Sequence, residues 1–261
     1  MRKGKERYKI IFGMNLVLAF IFTGLTNNAF GFLGFGDTAS WKEEVLLHDG
    51  SKIIVERWQK HGGRHELGQR PGIAEHSITF TLPETKKAIK WKDEYSEDVG
   101  RSSLELLALD IINGTTYIVT KPVGMLAYNK WGRPNPPYVI FKLEGKVWKR
   151  ISLAELPVEF KNINLVIVTM NDEEELVRQG VISAERVKEF NSSLTQEEYK
   201  TIIRTPLKTM NEPIMVPTKD GWYGIDWFSD QPNHEACLKA CSRYWVKHGH
   251  CPCDDLFKKE K

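Results

Sequence analysis

The chain is 261 residues long with a formal net charge of +3, and its four cysteines all fall after residue 236. The positive balance sits in the leader Met1–Lys9, where Arg2, Lys3, Lys5, Arg7 and Lys9 face one acid, Glu6, so that without Met1–Gly31 the remainder carries −1. A near-neutral body removes the composition argument for nucleic acid or an acidic membrane surface as partner, and about 230 residues suffice for one large domain or two small ones.

Behind the leader, Ile10–Leu25 is a run rich in apolar residues, followed by Thr26-Asn27-Asn28-Ala29-Phe30-Gly31. A basic start, an apolar run, and small residues at the −3 and −1 positions (Ala29 and Gly31) make the pattern of a secretory signal peptide. The apolar run enters the bilayer as a helix while the basic flank stays cytoplasmic. Residues 1–31 are therefore expected to export the rest of the chain, placing it in the periplasm or outside the cell. The rival form is an uncleaved signal anchor, because no charge falls between Lys9 and Asp37 and a span needs about 20 apolar residues. Gly13, Asn15 and Gly24 make it a mediocre anchor, and the lopsided charge argues against a buried core helix. Membrane contact is expected only through residues 10–25, if they are retained. No cysteine lies near the cleavage region, which excludes lipid attachment there.

Residues 32–40 read as a glycine-rich tether. Its G-x-x-G-x-G spacing has no strand before it and no helix after it, so it does not make a phosphate loop. The globular part is expected over residues 41–205. Glu44–Leu47 and Lys52–Arg57 flank His48-Asp49-Gly50-Ser51, a hairpin signal in which aspartate and glycine suit the turn. The run SWKEEVLLHDGSKIIVER, with RHELGQ, HSITFTLP and NKWGRPNPPYV further on, resembles a group of bacterial exported proteins of uncharacterised function. That resemblance spans most of residues 40–205. It implies export but no activity, so it assigns no residue a role.

Gln59–Glu75 reads as a long polar connection containing His61 and His65, with His76 just beyond it. His65-Glu66 is not a zinc-protease motif, because position 69 is Gln69 and Gly62, Gly63, Gly68 and Pro71 oppose a helix. Period-two alternation then predicts strands at Ser77–Leu82 and Ala88–Lys92. Leu104–Ile112 and Thr115–Val119 flank Asn113-Gly114, the strongest hairpin signal in the chain. Tyr138–Leu143 and Val147–Ile151 form a further hairpin, and Leu165–Val168 reads as one more short strand. The expected fold is mainly β, an antiparallel sandwich or partial propeller, α+β overall, with short helices towards the C-terminus and an N-terminal hydrophobic export helix. No repeat of fixed length emerges, which counts against a full propeller.

Tyr128–Pro137 reads as a loop in which Tyr128, Trp131 and Arg133 offer a stacking surface for a sugar or a partner peptide. The alternative is a loop pinned to the body by its own aromatics. Ser152 with Glu155, and Thr195 with Glu198, make capping boxes. Asp172–Arg178 and Ser183–Phe190 read as short helices, and Tyr199–Thr205 is rich in strand formers. Pro206, Pro213 and Pro217 mark a linker, so residues 206–261 are expected to be a linker and a small cysteine-rich segment, too small for a core without disulfides or metal.

In that segment Cys237 and Cys241 share a helix face, and Cys251 and Cys253 share a face if extended. An oxidising compartment favours two disulfides. A tight reversal at Gly249 favours nested pairing, Cys241–Cys251 with Cys237–Cys253, although helix length decides which sulfurs meet. The spacing resembles cysteine-stabilised αβ miniproteins, and Pro252 weakens a central strand there. The rival is a zinc site drawn from Cys237, Cys241, His248, His250, Cys251 and Cys253. No nucleophile elbow, P-loop or H-E-x-x-H motif occurs, and no cofactor is implied. The preferred reading is a non-catalytic envelope protein that binds a protein or ligand outside the cytoplasm. The alternative is an extracytoplasmic hydrolase or metal-dependent enzyme using His61, His65 or His76.

Overall fold

The structure is a computed structural model that describes residues 38–66, 69, 71–168, 173–208, 212–244 and 251–258. The expectations for residues 1–31, and for His248 and His250, lie outside the described residues. Strand outweighs helix, 37% to 23%, so the chain is mainly β. Among the described residues no helix is long and apolar enough to cross a membrane.

The first sheet grows from the Asp49-Gly50 hairpin. β1 (Thr38–Leu46) and β2 (Lys52–His61) pair antiparallel, and β3 (Ile73–Thr81) and β4 (Ala88–Asp93) follow in order. The strands run past the expected ends: β1 begins inside the stretch read as a tether. β2 reaches His61 and β3 starts at Ile73, which shrinks the long polar connection to residues 62–72. The reason is that alternation continues through polar residues. Val55, Arg57 and Gln59 are all buried on one face of β2, and hydrophobicity alone does not mark such a strand.

The second sheet is the meander β5 (Leu104–Ile112), β6 (Thr115–Pro122), β7 (Val139–Glu144) and β8 (Val147–Ile151). Asn113 and Gly114 both take positive φ, 51° and 73°, as a two-residue hairpin turn requires. A register shift between Leu106 and Ala108 breaks the alternation in β5. Leu104, Leu106 and Leu109 consequently pack with Val45, Val55, Ile78 and Phe80 of the first sheet. Leu107 and Ala108 face the opposite way, onto Leu156, Phe160 and Ile202. Both faces of the second sheet are thus covered.

Leu165–Val168 is not a strand. Its residues are buried or nearly so, but beyond one backbone bond, Leu165 N–H to the Leu107 carbonyl, side chains rather than a ladder satisfy its backbone. Asn191 Nδ2 donates to the Leu165 carbonyl, and Asn191 Oδ1 accepts from Ile167 N–H. Just upstream, Asn164 accepts from Leu109 N–H and donates to the Leu109 and Leu46 carbonyls. One amide therefore caps the open edge of β5 and reaches β1, doing by side chain what a strand would do by pairing.

Helix α1 (Gly124–Lys130) was not expected from the sequence. It is seven residues long, starts on a glycine at φ 74°, and lacks a side-chain cap, so little in the sequence announces it. The helices α2 (Glu173–Arg178) and α3 (Ala184–Phe190) follow the expected stretches, and Ser183 accepts from Arg186 N–H as an N-cap. Between them the two-residue strand β9 (Val181–Ile182) adds parallel to β1. The Ser152–Glu155 capping box forms, closing a single 3-10 turn. Thr195 does not cap: Gln196 is the N-cap of the 3-10 turn Glu197–Tyr199, and Tyr199–Thr205 contributes only an isolated bridge, Thr201 to Asn162.

The C-terminal segment is a hairpin, β10 (Met215–Thr218) with β11 (Gly221–Gly224), followed by α4 (Asp226–Ser229), α5 (His234–Tyr244) and α6 (Cys253–Leu256). Cys237 pairs with Cys253 and Cys241 with Cys251, at Cα separations of 5.7 and 5.9 Å. The pairing is nested, but Cys251 and Cys253 are not on an extended strand. Pro252 is the N-cap of α6, so helix faces helix. The bridges and Phe228 form the small core of this segment. Cys241, Cys251 and Cys253 do bring their sulfurs within 4.8 Å of one another, but as bridged sulfurs rather than the thiolates zinc requires.

Two outcomes test this architecture. Asn164→Ala removes three hydrogen bonds, two of them buried, and should cost about 2–4 kcal/mol in urea unfolding; an unchanged midpoint would show that the edge needs no cap. Without reductant the intact mass should be four hydrogens below the reduced chain, with no thiol open to alkylation. Four reactive thiols with stoichiometric zinc would overturn the bridges.

Candidate functional site

The inner face of the first sheet changes character along its strands. At one end Val45, Val55, Ile78, Phe80, Ile89 and Trp91 make an apolar wall. At the other, the same alternation places Glu43, Arg57, Gln59 and His76 inward, with Gln59 directly opposite His76 and Arg57 opposite Trp41 and Ile78.

Glu43 and Arg57 are an ion pair at 2.9 Å, with side-chain exposures of 0% and 5%. The other carboxylate oxygen accepts from the Trp41 indole at 3.3 Å and from Val166 N–H at 3.2 Å. Arg57 also donates to the Val166 carbonyl and lies 5.2 Å from the Trp41 ring centre. Burial raises the Glu43 pKa, and Arg57 and these donors oppose it.

His76 is buried against the edge of Trp91, and its Nε2 donates to the Leu104 carbonyl at 2.7 Å. Burial, with the Arg57 and Arg101 charges adding to it, pushes the imidazole down to about 3. The ring is therefore neutral near pH 7, and Asp93, 3.8 Å away, is not its counter-ion. Asp93 instead accepts from Ser103 and Leu104 N–H, both at 2.8 Å. A histidine in this state does not take up a proton as a general base near neutral pH.

Beyond His76 lies a cavity of about 80 Å³ whose lining includes Arg57, Gln59, His76, Arg101, Leu104 and Glu105. Among the described residues, the buried side-chain atoms without a hydrogen-bond partner are Gln59 Nε2, Arg101 Nε and Thr116 Oγ1. The first two both belong to residues lining this cavity. Gln59 is only 2% exposed, and an unpaired buried donor costs about 1–3 kcal/mol. Burial lowers the Arg101 pKa, with Glu105 pulling the other way. Burial raises that of Glu105, which Lys121, Tyr199 and the two arginines partly offset.

The other candidates are engaged elsewhere. His61 sets Nδ1 on the Pro71 carbonyl at 3.0 Å and Nε2 on the Glu173 carboxylate at 2.8 Å. His65 is exposed and bonds the Gly63 carbonyl. The described contacts thus engage His61, His65 and His76 with different groups. Tyr128, Trp131 and Arg133 each make contacts within the chain. Tyr128 is buried on α1, the Trp131 indole donates to Ser103 Oγ, and Arg133 lies over Tyr128 while donating to the Glu212 and Pro213 carbonyls. Arg133 thereby pins the C-terminal segment to the body. A wider groove of about 780 Å³ runs between α1, the loop at Asp98 and the β10–β11 hairpin. Its charges include the Lys130–Asp98 pair at 2.9 Å, and Trp222 donates to the Asp98 carbonyl.

Sequence reading missed Gln59, Arg101 and Glu105. Gln59 carried a usable signal, as a polar residue in the inward register of Ile53, Val55 and Arg57. Arg101 and Glu105 carried none, since only the fold brings them to β2. No protein-family model matches the chain, and neither a curated protein nor a solved structure does.

The neutral His76 gives a pH test. The unfolded imidazole protonates near 6.5 and the folded one near 3, so stability present above pH 6.5 is lost as pH falls through this window, by about 1.4 kcal/mol per unit. His76→Gln should flatten that slope between pH 6 and 4 relative to the native chain. Parallel slopes would place the acid sensitivity elsewhere.

Proposed function

We propose that this chain is an exported envelope protein acting as a non-catalytic binding module, with its ligand in the cavity beneath Gln59, His76 and Arg101. The observation carrying the binding site is that Gln59 and Arg101, each holding a buried side-chain donor without a partner, line the same cavity. Folding leaves them at a cost, and a ligand acceptor would recover it. The five-stranded and four-stranded sheets act as a sandwich scaffold whose apolar end fixes the fold and whose polar end receives the ligand. Export is supported by the basic leader with its apolar run, by the resemblance to bacterial exported proteins, and by the paired cysteines. The partner is a ligand or another protein of the envelope.

A reporter active only in the cytoplasm, fused after Lys261, should be silent; strong activity would end the export reading. Gln59→Met removes an unpaired amide at nearly constant volume. It should raise the stability of the ligand-free protein by about 1 kcal/mol, while abolishing a phenotype that His65→Ala leaves intact. Lower stability together with a retained phenotype would remove this cavity from the function.

A further inference from the structure

The four sulfurs of the C-terminal segment differ in access. Cys237 and Cys253 are fully buried and Cys241 is only 7% exposed, whereas Cys251 is partly exposed. An external thiolate therefore meets the Cys241–Cys251 bridge first, and meets it at Cys251. Disulfide exchange proceeds by attack of a thiolate on one sulfur, which forms a mixed disulfide and expels the other sulfur as a thiolate. Attack at Cys251 thus expels Cys241.

The expelled sulfur is already placed against the second bridge. Cys241 Sγ lies 3.5 Å from Cys253 Sγ, at the edge of the separation of about 3–3.5 Å from which reacting atoms close. Cys241, Cys251 and Cys253 bring their sulfurs within 4.8 Å of one another, and Cys237 is outside that set. Cys253 is therefore the sulfur that a Cys241 thiolate attacks, and Cys237 is the one that departs. Cys237 belongs to the N-terminal part of the eleven-residue helix α5, where the helix dipole favours an anion.

We propose that the C-terminal segment is a disulfide donor to dithiols, in which its two bridges act in series. The first thiolate of the substrate bonds Cys251 and releases Cys241. Cys241 then bonds Cys253 and releases Cys237. The second thiolate of the substrate attacks the mixed disulfide and frees Cys251. The substrate leaves with one disulfide, two electrons poorer, and the two protons of its thiols end on Cys237 and Cys251. The chain keeps a Cys241–Cys253 bond. The internal step matters because a Cys241 thiolate left free would attack the mixed disulfide and return the substrate unchanged.

The full chain treated with about one equivalent of glutathione, a monothiol that stops at the mixed disulfide, reads the series directly. After acid quench and alkylation, peptide mapping should find glutathione on Cys251, the alkyl group on Cys237, and a Cys241–Cys253 bridge. An alkyl group on Cys241 with Cys237–Cys253 intact would overturn the relay. Absence of any adduct without denaturant would overturn the donor role altogether. With a reduced two-cysteine peptide as substrate, the native chain should form the peptide disulfide at least tenfold faster than a Cys237→Ser/Cys253→Ser chain, which keeps only the outer bridge. Equal rates would also overturn the relay. Melting curves check the fold of that variant, and if it does not fold the mapping of the native chain decides alone.

Discussion

The ion pair between Glu43 and Arg57 is the constraint on which the rest of the molecule depends. A carboxylate and a guanidinium are taken wholly out of water between the sheets, which is tolerable only when both are paired and hydrogen-bonded. Here the supporting bonds come from Trp41 on β1 and from both backbone groups of Val166. The irregular strand-like segment at residues 164–168 is therefore held where it is by charge as well as by packing. It closes the open edge of β5 and supplies Val168 to the cavity wall. Past this pair the core stops being apolar.

Much of the scaffold was legible in the sequence. The Asp49-Gly50 and Asn113-Gly114 hairpins, the meander and the caps at Ser152 and Ser183 each rest on local chemistry that a sequence displays. What escaped was whatever depends on partners distant in the chain. Leu165–Val168 has a strand's composition, yet Asn164 and Asn191 bond its backbone and its neighbours in place of a strand. Gln59 looked like the start of a polar loop because its polar type outweighed its place in the inward register of β2. The histidines drew attention by residue type, while the groups left unpaired were an amide and a guanidinium.

The C-terminal segment shows a second division of labour. Its bridges and Phe228 give it a core that its length alone does not provide. It is joined to the body through polar contacts from α1 and the loop after it, where Asn129 and Arg133 meet the backbone at Glu212, Pro213 and Met215. Arg133 of the aromatic loop thus serves as an internal fastening.

The order of strands also bears on how copies of this chain meet one another. β4 ends the first sheet and β8 the second, so each offers an unpaired row of backbone groups to any neighbour. Trp148 of β8 reaches across to the Lys90 carbonyl of β4, tying one rim to the other. Along what is left, the exposed lysines Lys87 and Lys90 on or beside β4, and Lys146 beside β8, set positive charge where a second copy would have to add a strand. At high local concentration the sheets should stay separate, because edge-to-edge growth would stack like charges before it formed a ladder.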